Sequence, residues 1–123
     1  MIINIPIEVT LEDFEAVIIT ALEGGSNYWY YIPDQDEPPV IEGKTYAERI
    51  AHALYNDLNY ALLINDVENP DEQLGIVNHQ SMIDAFSNKK HLYSVVNIIK
   101  GDYDAEDADI LFQLATLGEL TFG

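Results

Sequence analysis

The chain has 123 residues, no cysteine, and 22 acidic side chains against 5 Lys and Arg, a formal net charge of −17. That length suits one domain able to bury a core unaided, and the lack of cysteine removes disulfides and thiolate metal sites while remaining compatible with a reducing cytoplasm. The charge leaves no Lys/Arg cluster to neutralise phosphates, so nucleic acid and anionic membrane are disfavoured partners.

No run reaches the ~18 apolar residues of a membrane span, and the N-terminus lacks the basic start of a secretory signal. Ile3, Ile5, Ile7 and Val9 alternate with mostly polar neighbours and predict a first strand. Thr10 with Asp13 resembles a capping box. Leu11, Phe14, Val17, Ile18, Ala21 and Leu22 then fall at helical spacing. Gly24–Gly25 closes that helix. A phosphate-cradling role is disfavoured, because anion-binding glycines precede a helix and these follow one.

Four aromatics come next, Tyr28, Trp29, Tyr30 and Tyr31. Strand alternation would place Tyr28 and Tyr30 on one face and Trp29 and Tyr31 on the other. Such residues serve a core or a wet interface equally well, so the run is a candidate binding surface as well as a candidate core. Asp34, Asp36 and Glu37 lie in a proline-bearing polar loop that runs to Pro39. Thr45 with Glu48 opens a helix to about Asp57. Leu62 to Val67 and Leu74 to Val77 predict a hairpin, and Asn78 predicts the cap of a short helix through Phe86. Leu92, Val95, Val96 and Ile99 predict another helix, closed at Lys100–Gly101.

The last element is a helix from Asp104 to about Leu117. Glu106, Asp109, Gln113 and Thr116 form one narrow polar stripe on it. Nearly everything else, Ala108, Ile110, Leu111, Phe112, Leu114, Ala115 and Leu117, is apolar, so this helix must be covered on several sides and sits at the centre of the fold. Asp104 caps it, Gly118 ends it, and Glu119 to Phe122 predicts a short strand. These elements make a single α+β domain over residues 1–123, a small, mostly antiparallel sheet covered by helices around a buried C-terminal helix.

Motifs for chemistry are lacking. Asp102, Asp104, Glu106, Asp107 and Asp109 do not follow an EF-hand, since Asp107 stands where that loop needs glycine and Gln113 where it needs glutamate. A helix start matched to its dipole explains the acids better. His52, His79 and His91 show no metal spacing, and His52 falls one turn after Glu48. No Gly-x-Ser-x-Gly surrounds any serine. The expectation is a protein without catalytic residues, metal or cofactor.

Two segments together carry a resemblance. Thr20-Ala21-Leu22-Glu23-Gly24-Gly25 with Tyr28-Trp29, and Asp104-Ala105-Glu106-Asp107-Ala108-Asp109 through Gln113 to Phe122-Gly123, resemble a family of small uncharacterised bacteriophage and prophage proteins. In that family Leu-Glu-Gly-Gly and an aromatic pair lie near the start, and an Asp-Ala-Glu-Asp-Ala-Asp helix lies near the end. Thr116-Leu117 stands here where the family has a bulkier pair. The resemblance implies an accessory gene product in the infected cell's cytoplasm, with no established activity.

Three functional expectations follow. The first is non-catalytic binding to a host protein with a basic surface, of the defence apparatus in kind, through an acidic face built from Asp34, Asp36, Glu37, Asp102, Asp104, Glu106, Asp107 and Asp109 with Tyr28 to Tyr31. The plainer reading of the same charge is solubility. The second is a sponge for a nucleotide-like signal, stacking on Tyr28 to Tyr31 with Lys89, Lys90, His91 or Arg49 as local cations. The third is self-association through the aromatic strand or the C-terminal strand across a two-fold axis.

Overall fold

Four helices begin where a side chain takes over an orphan backbone amide. Thr10, Thr45, Asn78 and Asp104 each accept from the amide three residues on, and the side chains of Asp13, Glu48, Ser81 and Asp107 return the bond to the cap's own N–H. Reciprocal caps of this kind are each worth on the order of 1 kcal/mol. They start α1 (Leu11–Thr20), α2 (Tyr46–Asn56), α3 (His79–Phe86) and α5 (Ala105–Leu117). The remaining helix, α4 (Leu92–Lys100), follows a 3-10 turn at Lys89–His91. The computed structural model describes residues 8–123, so most of the expected first strand lies outside the described residues.

α1 ends in a wide turn over Ala21–Gly25, where Gly24 takes φ 144°, a backbone geometry that side chains disfavour. Gly101 and Gly118 close α4 and α5 in the left-handed conformation, as the sequence predicts. The sheet is wholly antiparallel among the described residues. It consists of β1 (Tyr30–Tyr31), β2 (Ala61–Asp66) and β3 (Gln73–Asn78), in that order. β2 and β3 form the expected hairpin, with Leu62 opposite Val77, Leu63 opposite Ile76 and Ile64 opposite Gly75.

That register sorts the faces. Leu62, Ile64 and Val77 are fully buried on the inner face, while Ile76 is exposed on the outer one. α5 lies against the inner face and also packs on α1, α3 and α4. Gly75 makes this closeness possible, since a Cβ there would fall 2.1 Å from the Thr116 carbonyl oxygen. Phe14, Val17 and Ile18 from α1, Ile50 and Leu54 from α2, Met82 from α3 and Leu111 and Phe112 from α5 complete the core. Each such burial removes about 1.5–3 kcal/mol of apolar exposure.

Two predicted features differ. The aromatic run does not alternate, because the chain turns through Ser26–Trp29 (Trp29 N–H to Ser26 carbonyl, 3.1 Å) and the strand starts only at Tyr30. Trp29 and Tyr30 therefore both face the core, and Tyr28 and Tyr31 face out. Glu119 to Phe122 is not a strand; its backbone is held by a side chain instead.

Candidate functional site

The polar stripe of α5 turns inward. Glu106 is exposed, but Asp109, Gln113 and Thr116 are buried. A buried carboxylate persists only if its oxygens are satisfied, and Asp109 accepts four donors. Ser26 Oγ (2.6 Å) and the Trp29 indole N–H (2.8 Å) meet one oxygen. Tyr28 Oη (2.5 Å) and Gln113 Nε2 (3.0 Å) meet the other. The turn that spoils the strand alternation thus delivers three donors to one acid.

Gln113 continues the seam. Its Oε1 accepts the amides of Thr121 (3.0 Å) and Phe122 (2.8 Å), and its Nε2 also donates to the Phe122 carbonyl (3.0 Å). One amide side chain here does the work of a neighbouring strand, and Phe122 is stacked on Trp29 with ring centres 5.4 Å apart. Gln35 acts likewise on β2, accepting from Leu63 N–H (2.9 Å) and donating to its carbonyl (3.1 Å) beyond the end of β1. Asp107, on the other side of α5, accepts from Ser94 Oγ (2.8 Å) and Asn97 Nδ2 (3.1 Å) as well as closing its capping box.

These surroundings shift the phenols. Burial and then the Asp109 carboxylate push Tyr28 up to about 12. Burial first, with Tyr46 nearby, pushes Tyr30 and Tyr60 up to about 12. The Tyr60 hydroxyl oxygen is buried with no hydrogen-bond partner among the described residues, which costs the charged form further.

Three open crevices flank α5. One of about 470 Å³ is lined by Tyr93, Asn97, Asp102, Tyr103, Asp104 and Glu106. A second, of about 590 Å³, is lined by Tyr28, Glu106, Ile110, Leu120 and Phe122. The third, of about 610 Å³, brings Lys89, Lys90 and His91 beside Leu114 and Gly118. Bases suit that place, since the carbonyl end of α5 favours positive charge and α5 has no base in its own last turn.

The outer sheet face is flanked by exposed acids. Tyr31 opposite Asn65, and Leu63 opposite Ile76, give it an apolar centre. The loop carrying Asp34, Asp36 and Glu37 runs along the β2 edge, fixed through Gln35, and the β2–β3 turn carries Glu68, Asp71 and Glu72. All six acids are exposed. Arg49 is the cation nearest this rim, and it is already engaged by Glu37 (3.4 Å) and the carbonyls of Pro38 (3.0 Å) and Pro39 (3.4 Å).

The candidate residues of the sequence therefore divide. Asp34, Asp36, Glu37, Tyr31, Asp102, Asp104 and Glu106 are on the surface, and Tyr28 is half exposed. Trp29, Asp107 and Asp109 are interior, and Tyr30 is half buried against Phe112, so none of these four is a surface group for a partner. Trp29, covered by Phe122 and Phe112, has no face left for a nucleotide base. The self-association expected of a C-terminal strand has no strand there to use. His52 meets Glu15 of α1 at 3.6 Å rather than Glu48, and His79 Nδ1 lies 3.1 Å from the Leu54 carbonyl. No group of three or more metal-ligating side chains gathers among the described residues. No helix among them is long and apolar enough to cross a membrane. Ser26, Gln35, Ser94 and Asn97 gave no signal in the sequence, because each acts on a residue far along the chain or on backbone.

Fold and surface together define a small α+β protein with a polar seam inside and an acidic sheet face outside. Compared with family models, with curated proteins and with solved structures, the chain has no match.

Proposed function

We propose that this protein acts without catalysis, by presenting its outer sheet face to a basic surface of another protein. In keeping with the phage resemblance, that partner is a host factor, of the defence apparatus in kind, engaged and obstructed in the host cytoplasm. The observation that carries the reading is the set of exposed acids, Asp34, Asp36 and Glu37 on the loop tied to β2 and Glu68, Asp71 and Glu72 on the hairpin turn, that flank Tyr31, Leu63 and Ile76. An aromatic and apolar centre flanked by groups of one sign is a common plan for binding, in which the charges steer and the centre holds. The interior supports the same reading, because the carboxylates of Asp107 and Asp109 are occupied by hydroxyl, indole and amide donors that hold the fold together.

The test compares the wild-type protein with an Asp34→Lys, Asp36→Lys, Glu72→Lys variant as bait in host lysate at low salt. A basic protein retained by the wild type and lost by the variant is expected, with an association rate that falls steeply as salt rises. Recovery of no basic protein, or equal recovery by both baits, would overturn the proposal.

A further inference from the structure

Beyond Gly118, whose φ of 81° takes the chain out of α5 in a left-handed turn, residues 119–123 have little to hold them. Among the described residues, every hydrogen bond of that tail goes to one side chain. Gln113 takes the amides of Thr121 and Phe122 and the carbonyl of Phe122. Glu119, Leu120, Thr121 and Gly123 are exposed, and only the Phe122 ring is half-buried, lying within 10° of parallel to the Trp29 indole. The surface beneath is firm by contrast. Gln113 is tied to Asp109, and Trp29 is fixed by its own bond to Asp109 and by the Phe112 ring. An exposed segment with one buried contact opens locally at far smaller cost than the core that bears it.

We infer that residues 119–123 are a releasable strap over a peptide-binding site, whose ligand is an extended segment of a partner protein bearing an aromatic side chain. What the strap now satisfies defines that ligand. Gln113 Oε1 accepts two successive amides, and Nε2 donates to the carbonyl of the second residue. This pattern reads backbone and places no demand on side chains. Selectivity comes from the slot beside it, where a planar ring stacks on Trp29. With the strap lifted, the indole face that Phe122 covers is bare and Gln113 Oε1 has lost both tail donors. An extended backbone and a ring then restore what was lost.

The crevice of about 590 Å³ beside Leu120 and Phe122, bounded by Tyr28, Glu106 and Ile110, gives an incoming segment room to approach. Its tether keeps the strap at an effective concentration on the order of 1 mM, so a partner's segment must out-compete it. The site shares no residue with the outer sheet face, so its failure leaves the reading above untouched.

Two measurements on the full chain test this. The first is native-state amide exchange of the wild type in low urea. Thr121 and Phe122 are expected to exchange at least about tenfold faster than Leu114 of α5, at rates that urea leaves unchanged, the mark of local opening. The second adds the peptides Glu-Leu-Thr-Phe-Gly and Glu-Leu-Thr-Ala-Gly, up to about 5 mM to reach weak dissociation constants, and follows Trp29 emission. The samples are wild type, Phe122→Ala and the milder Phe122→Leu. Each variant is expected to take up the aromatic peptide about tenfold more tightly than the wild type, because its own strap competes less. Neither takes up the alanine peptide, and adding Gln113→Ala abolishes uptake. Thr121 and Phe122 exchanging in step with Leu114 at every urea concentration would overturn the strap. A cooperatively unfolding Phe122 variant that takes up no aromatic peptide, binds both peptides alike or binds as the wild type does would overturn the site. Dimerisation of the wild type that Phe122→Ala abolishes would give the slot to a second copy's tail and overturn the partner ligand.

Discussion

Replacing Asp109 by alanine tests whether the buried seam holds the molecule together. The carboxylate is 7% exposed and accepts from Ser26, Tyr28, Trp29 and Gln113. Truncation strands the Ser26 hydroxyl and the Trp29 indole N–H, at 0% and 1% exposure. Each buried donor left unpaired costs about 1–3 kcal/mol. Tyr28, half exposed, can turn to water, and Gln113 keeps its bonds to the tail. Removing a charge from the interior offsets part of the loss, so the net cost is about 3 kcal/mol, a large share of a typical stability of about 5–15 kcal/mol. Asp109→Asn keeps the volume and one acceptor for Ser26 and Trp29 but turns an amide donor toward Gln113, and should cost less, about 1–2 kcal/mol. Urea unfolding followed by the fluorescence of Trp29, the single tryptophan of the chain, measures both. An alanine variant within about 0.5 kcal/mol of wild type, the range of an ordinary surface change, would refute the reasoning.

Three further outcomes are expected. Tyr28, Tyr30 and Tyr60 have folded values raised to about 12, so their contribution to stability is intact below pH 10 and is lost as pH climbs toward 12. A spectrophotometric titration should show these phenols ionising after the others; all 8 tyrosines titrating together near 10 would contradict this. Gln113→Ala should release the backbone of Thr121 and Phe122 and cost about 1–2 kcal/mol. Because Phe122 stacks on Trp29, a shift in the native emission maximum accompanies it, and an unchanged spectrum argues against the pinned tail. Gln35→Ala should cost about 1 kcal/mol and speed amide exchange at Leu63 relative to Leu62; equal protection at Leu63 in both proteins would count against the bond.

Local signals made most of the fold legible. Thr10, Thr45, Asn78 and Asp104 each announce a helix to a neighbour three residues away, and Gly101 and Gly118 end helices by their own backbone freedom. The hairpin follows from two apolar runs and a polar turn between them. The stripe on α5 was equally visible, but spacing alone does not say whether a polar row meets solvent or an internal partner. Asp109 finds Ser26, Tyr28 and Trp29 about eighty residues earlier, a separation at which periodicity carries no information. The same limit hid the strand-like roles of Gln35 and Gln113, for no propensity marks a side chain that stands in for backbone. The aromatic run misled because the turn at Ser26 shortened the strand to two residues, which left pattern without a sheet to enforce it.

The missing side chain at Gly75 works as a notch into which the backbone of Thr116 seats. If the hairpin slid by one position, Leu74 or Ile76 would arrive at that spot, and the helix could no longer lie flush. The turn between the strands is therefore not the final arbiter of their alignment. A segment made much later in synthesis checks it, so mispaired hairpins stay unlatched until α5 has found the one setting that admits it.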